Sequence, residues 1–416
     1  MKKLFVLMLS LMVIFSLATA CTKEEGPKDN VLSFAQGKPE IDGALKEYAA
    51  AYEQATGTKV NVISCGGDSC ALGEVLRADY AAGTMPDIFQ IQGIEDYKEW
   101  KDIILVLDGE KWVGDTAASF KVDGKVVGFP VAVEGWGMAY NKDMLDKAGI
   151  DPATLTNFAA YEAAFAKLDS MKAELGIDAV VSMAAGPQMG WVVTDHNLNT
   201  LLSGGLPNGD MSITNDLLAG KVDRERMTQY CKWVALLFKY ADKTVLTTGD
   251  YNAQVGAWTS GKAVFLHQGN WVDGNVADSG ASFNMGFAPH GAFTYDTKGI
   301  FIAAPSYYVI NKNGNVAAAK KFLNDLVYTE LGNKYMVEGA GSIPAFKNIT
   351  LNPSGKLSTS VKQWAAEGEI YGWYQYNFAG EFKAELHPIY GAFANGSISF
   401  DEFVEQMINA FEGLAK

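Results

Sequence analysis

Short apolar segments alternate with stretches of helical periodicity along the first part of the chain, and this alternation constrains the fold more than any other feature. Val31 to Phe34 reads as a strand, after which Ile41, Leu45, Tyr48 and Tyr52 recur at helical spacing up to a stop at Gly57. Val60 to Ile63 is the next strand, Leu72, Val75, Leu76 and Tyr80 mark a second helix ending near Gly83, and Ile88 to Ile91 is a third strand. A β-α-β-α-β order predicts an α/β fold, with crossover helices covering the faces of a sheet. Further stripes follow at Phe158, Tyr161, Phe165 and Leu168, with Gly176 as a stop, and at Phe322, Leu323, Leu326 and Val327. A last stripe runs through Phe400, Phe403, Val404, Met407, Ile408 and Phe411.

The N-terminus has a different character. Lys2 and Lys3 precede an apolar run from Leu4 to Leu17, which is shorter than the roughly 20 residues a membrane span needs. Small residues Ala18 to Ala20 then lead into Cys21. Charged start, apolar middle and small-residue cleavage site predict a secretory signal over residues 1–20. The Cys that follows resembles a bacterial lipobox, with Ala18 where such boxes usually carry Leu, and implies acylation of Cys21. Residues 21–30 are then read as a polar tether to the membrane.

After the leader, roughly 390 residues exceed one ordinary hydrophobic core and predict two lobes. No low-complexity linker separates them, so several strands rather than one tether are expected to join them. The formal net charge is −14, and more negative once Lys2 and Lys3 are removed. That sign argues against nucleic acid and against adhesion to anionic lipid by charge. Cys65 and Cys70 flank Gly-Gly-Asp-Ser, a turn-forming stretch that predicts a disulfide in an oxidising compartment, two free thiols being the alternative. Cys231 falls on an apolar helical stripe and is expected to be a buried thiol. Scattered histidines give no expectation of a metal, and no cofactor is expected.

Five segments in order carry a resemblance to a family. They are Tyr52 to Val60 (YEQATGTKV), Ala81 to Phe89 (AAGTMPDIF), and Asp123 to Glu134 (DGKVVGFPVAVE) continuing through Tyr140-Asn141-Lys142-Asp143. Then come Gly261-Lys262-Ala263 with Gly269-Asn270-Trp271, and Val309 to Lys312 leading through Ala319 to Leu323 to Gly341-Ser342-Ile343-Pro344-Ala345. Together these resemble the extracellular solute-binding proteins, the family that includes maltose-binding protein. The resemblance implies a two-lobed periplasmic-binding-protein fold (type II), with hinge strands and a ligand cleft between the lobes. It places lobe one at 31–133 plus 305–347 and lobe two at 138–303 plus 352–416. It further implies a monomer, not an enzyme, that captures a sugar outside the cytoplasm and delivers it to the permease subunits of an ABC importer.

A sugar presents apolar C–H faces and a rim of hydroxyls, so its site needs aromatic platforms beside planar polar groups. Trp271 aligns with a family Trp that stacks on sugar, and Glu134 with an acidic ligand contact next to the first hinge. Trp136, two residues on, is a second candidate face. Gln36 and Lys38 follow the first strand and Gln92 the third, where ligands of open α/β sheets bind; Asp68 lies in the loop between the paired cysteines. Gln188 belongs to a loop that lines the site in maltose-type relatives. Those relatives carry Glu and Tyr at the positions of Gly186 and Gln188, which argues against maltose itself. Among Tyr371, Trp373, Tyr374 and Tyr376, Trp373 is the first candidate to reach a ligand.

Two other readings stay open. The same fold could bind a polyamine, amino acid or peptide, although a polyamine wants several carboxylates and only Glu134 is in prospect. A secreted hydrolase could use Gly67-Asp68-Ser69 with His387, but the position three residues before His387 is Ala384 rather than a carboxylate. Neither a GxSxG elbow nor an HExxH pair occurs.

Overall fold

A computed structural model describes residues 30–66 and 70–415. The signal segment, Cys21, most of the tether and Asp68 lie outside those residues.

Two mixed sheets organise the chain. The first has the order β2-β1-β3-β11-β5-β4, built from β1 (Val31–Gln36), β2 (Lys59–Ser64), β3 (Ile88–Ile91), β4 (Phe120–Val122), β5 (Lys125–Pro130) and β11 (Tyr307–Ile310). β1 lies parallel between β2 and β3, as the alternating sequence requires, while β11 returns antiparallel between β3 and β5. The second sheet has the order β12-β10-β6-β8-β7, with β9 also on β6. Its strands are β6 (Glu134–Asn141), β7 (Ala179–Ser182), β8 (Ala263–Gly269), β9 (Met285–Ala288), β10 (Ile300–Ala303) and β12 (Ile370–Tyr371).

The helices cover these sheets for the reasons read in the sequence. The helix Asp42–Thr56 buries Leu45, Tyr48, Ala49 and Tyr52, and stops where Gly57 turns left-handed (φ 75°) and donates its N–H to Glu53. The helix Phe400–Gly413 opens with a capping box between Ser399 and Glu402. It buries Phe403, Val404, Met407, Ile408 and Phe411, each contributing roughly 1.5–3 kcal/mol of apolar burial. One boundary differs from the sequence reading. The helix Phe158–Ser170 ends before Met171, and a short second helix, Lys172–Leu175, is the one Gly176 terminates.

The chain crosses between the sheets directly from β5 to β6 and from β10 to β11. These crossings run side by side, Val131 N–H donating to the Ser306 carbonyl at 3.0 Å, and Val133 bridges to Ile343 beyond them. Two direct chain crossings rather than one tether therefore join the sheets. Cys65 and Cys70 are bonded, and Cys231 is a buried free thiol. No helix of the described residues is long and apolar enough to cross a membrane.

Candidate ligand-binding site

β8 ends at Gly269, and the turn Asn270–Val272 holds Trp271 out from the sheet toward the crossing strands. Both polar neighbours of Trp271 anchor this turn. The Asn270 side chain accepts from Gly135 N–H at 2.8 Å and donates to Ser358 Oγ at 3.0 Å. Asp273 accepts from the N–H groups of Leu357 and Ser358 at 3.0 and 2.8 Å, capping the helix Lys356–Glu367.

The ring of His196 is the hub of an aromatic box. Its centre lies 5.0 Å from Trp271, 5.3 Å from Trp191 and 5.4 Å from Trp373, with Trp271 and Trp373 6.2 Å apart. Tyr251 extends the wall, 5.7 Å from Trp191. Trp191 and His196 bound a π-helical turn, Trp191–His196. Spacing of five residues does not share a face of an α-helix, so helical periodicity in the sequence gives no sign that these two rings meet. Burial, with lesser contributions from His267, Lys38 and Lys383, pushes the His196 pKa down to about 3 and leaves a neutral imidazole. Beneath the box, His196, His267 and His290 surround Trp136 at 5.8, 5.1 and 5.5 Å. Burial likewise lowers His267 to about 4 and His290 well below the usual range.

Charged groups flank the rings in ion-paired sets. The Lys38 ammonium lies 2.6 Å from Glu134 and 2.8 Å from Glu40. Burial alone would depress the lysine, but the two carboxylates outweigh it and raise its pKa. Lys383 pairs with Asp195 at 3.2 Å and stands over the Tyr376 ring at 5.2 Å. Tyr376 in turn packs on the backbone of Gly93, which follows β3: a Cβ added at Gly93 would come within 2.7 Å of the tyrosine Cβ. Beside this contact a pocket of about 230 Å³ opens between the lobes, lined by Ile94, Phe120, Tyr307, Trp373, Tyr376 and Asn377 among others. A separate pocket of about 270 Å³ at the outer edge of sheet two, around Asp178, Asp242 and Lys262, shares no residue with the box.

The structure thus brings Trp271, Trp373, Lys38 and Glu134 toward one place and sorts the other candidates differently. Trp136 is fully buried, stacked on Phe301 at 4.2 Å with His196 on its other side, so it supports the box from below and offers no free face. Gln36 is also fully buried; its amide is occupied by Ser64 Oγ and by the backbone of Lys38. It shapes the loop that carries Lys38 rather than reaching into the cleft. Gln92 and Gln188 are exposed, Gln92 within 3.5 Å of Ser306 and Gln188 on a turn. Tyr371 and Tyr374 bind backbone amides of lobe two through their hydroxyls. Ser69 lies outside the described residues, and His387 packs in lobe two against Gly190. Among the described residues, no cluster of His, Cys, Asp or Glu could hold a metal ion.

Two mixed sheets with covering helices, joined by paired chain crossings with an aromatic cluster beside them, define a two-lobed α/β fold. The chain belongs to the family of bacterial extracellular solute-binding proteins, whose pattern it matches over residues 47–367. It is 25% identical to the galactooligosaccharide-binding protein of Bacillus subtilis (strain 168) over 377 residues, 87% of this chain and 85% of the relative. Among solved structures it resembles RafE in complex with raffinose, with a TM-score of 0.76, 18% identity, and coverage of 93% of this chain and 100% of that one. A sugar transporter of Bacillus licheniformis in complex with stachyose aligns with a TM-score of 0.73 and 16% identity, covering 92% of this chain and all of that one.

Proposed function

We propose that this solute-binding protein captures a sugar or oligosaccharide in the interlobe cleft and passes it to the permease of an ABC importer. The observation that carries the reading is the box of Trp191, His196, Trp271 and Trp373. Its rings offer apolar faces, and the indole N–H groups of Trp191 and Trp373 are buried without a partner among the described residues. A polyol supplies what such a box lacks: C–H faces for the rings and hydroxyl oxygens for the indole donors. Relatives whose names specify galactooligosaccharide, raffinose and stachyose support the same class. An amine ligand would have to share Glu134 and Glu40 with Lys38, and Asp195 with Lys383.

In this reading Cys21 carries the lipid that keeps the protein at the outer face of a membrane, residues 21–30 are its tether, and the protein acts as a monomer. Lobe one comprises 31–133 plus 305–347, and lobe two 138–303 plus 352–416. The ligand-facing residues are Trp191, His196, Trp271 and Trp373, with Lys38 and Glu134 at the crossing.

The test is thermal unfolding of residues 22–416 with raffinose, stachyose, chitin oligosaccharides, amino acids and polyamines. A ligand at about 100 times its dissociation constant adds roughly 2.7 kcal/mol to native stability, a shift of a few degrees. A shift with a sugar supports the proposal. A shift with a polyamine or amino acid, alongside silence from every sugar, would overturn the ligand class and keep the fold.

A further inference from the structure

Behind the box runs a chain of buried amides that ends on the platform tryptophan. Gln254 Nε2 donates to the backbone carbonyls of Ser182 and His267 at 3.2 and 3.3 Å. Gln268 Nε2 donates to Gln254 Oε1 at 2.9 Å, and Trp271 Nε1 donates to Gln268 Oε1 at 3.0 Å. Gln254 and Gln268 are 0% and 1% exposed, so water does not compete for these bonds.

The direction of the chain is fixed at both ends. Backbone carbonyls only accept, so Gln254 must turn its NH2 toward Ser182 and His267 and its oxygen toward Gln268. An indole N–H only donates, so Gln268 must present its oxygen to Trp271. Rotating either amide by half a turn sets donor against donor and oxygen against oxygen, which the buried site cannot satisfy. Gly269 completes the seat. Its φ of −118° is open to any residue, but a Cβ there would lie 2.1–2.5 Å from three ring atoms of Trp271. The glycine is needed for the ring, not for the backbone.

We propose that Gln254, Gln268 and Gly269 are positioning residues that fix one orientation of Trp271 before ligand arrives; for binding, this rests on the sugar reading above. A consequence for specificity follows. Trp271 has committed its only polar group to Gln268 and offers a ligand its face alone.

The experiment uses residues 22–416 with 15N-labelled indoles, following Trp271 Nε1–H exchange with solvent and titrating raffinose. Trp258, on the same helix as Gln254 and bonded through its own Nε1 to the Val264 carbonyl, is the internal reference. Gln254→Leu keeps the volume and removes the anchor. It is expected to speed Trp271 exchange about tenfold, the loss of one net hydrogen bond, while Trp258 is unchanged. Equal protection of Trp271 in variant and wild type would overturn the proposal. Gln268→Glu keeps an acceptor for the indole and is expected to keep the protection, whereas Gln268→Leu removes that acceptor and is expected to lose it. Raffinose affinity should fall about tenfold in Gln254→Leu but hold in Leu326→Ala, a core variant of lobe one chosen as a stability control. Equal losses in both would reduce the amide chain to a structural role. If the wild type fails to bind raffinose and every other sugar of the thermal panel while the indole response is intact, the sugar reading falls and the platform stands.

Discussion

Lys38, on the loop after β1, places its ammonium 2.6 Å from the carboxylate of Glu134, the first residue of β6. One charge belongs to the first sheet and its partner to the second, so the pair spans the crossing. Its members are 13% and 10% exposed, which puts it among ion pairs that desolvation makes sensitive to loss of either side.

The two halves of this pair are not equivalent, because Lys38 has a second carboxylate in Glu40. Lys38→Met leaves Glu134 buried without its counter-charge and is expected to cost about 3 kcal/mol. Glu134→Gln leaves Lys38 paired with Glu40 and should cost about 1 kcal/mol. Urea unfolding of both variants checks the asymmetry, and equal costs would count against it.

Trp271 and Trp136 separate binding from folding. Trp271→Ala should remove most sugar affinity at a stability cost of about 1–3 kcal/mol, since it also leaves buried Gln268 Oε1 without its donor. Trp136→Ala empties a fully buried ring site and should cost roughly 3–5 kcal/mol of stability. Calorimetric titration beside thermal unfolding distinguishes them. Unchanged affinity in Trp271→Ala would end the stacking assignment.

Acid should destabilise the protein through its buried histidines. His196 and His267 have folded pKa values near 3 and 4, below the ordinary 6.5, and His290 is also depressed. The unfolded chain therefore binds protons first. The contribution of these residues is full above about pH 6.5 and is lost as pH falls toward the folded values, at up to about 1.4 kcal/mol per histidine per pH unit. Unfolding free energies measured from neutral pH downward, wild type against His267→Gln, should show a shallower slope in the variant. Identical slopes would contradict the assignment.

Gly93→Ala combines two penalties: a side chain at φ 83° and a Cβ within 2.7 Å of Tyr376. The backbone cost alone is roughly 1 kcal/mol. Because Gly93 follows β3 and Tyr376 belongs to the opposite lobe, the variant should also hold the lobes apart. Small-angle scattering should report a larger radius of gyration, and an unchanged radius would show that this contact does not set closure.

The first three strands and the helices named beside them were legible because they follow from local periodicity: the stripes of Leu45, Tyr48 and Tyr52 or of Phe403, Met407 and Phe411 are the buried faces observed. The site was legible only in part. Trp271, Trp373, Lys38 and Glu134 converge, yet residue type could not tell a platform from a support. His196 gave no local signal, since its role depends on a π-turn and on rings from three distant segments. Gln254 and Gln268 look like ordinary amides in sequence; only the two carbonyls facing Gln254 give them a direction.

The paired crossings between the sheets bear on how the protein moves. A single strand between two bodies would permit swivel, slide and bend alike. Two adjacent strands tied by the Val131–Ser306 hydrogen bond act as a pair of pins, which leaves one easy rotation and resists the others. Under the proposed function, closure about that axis would return the loop of Lys38 and the box of Trp271 to the same register, and a permease that recognises the shut form would meet one repeatable shape.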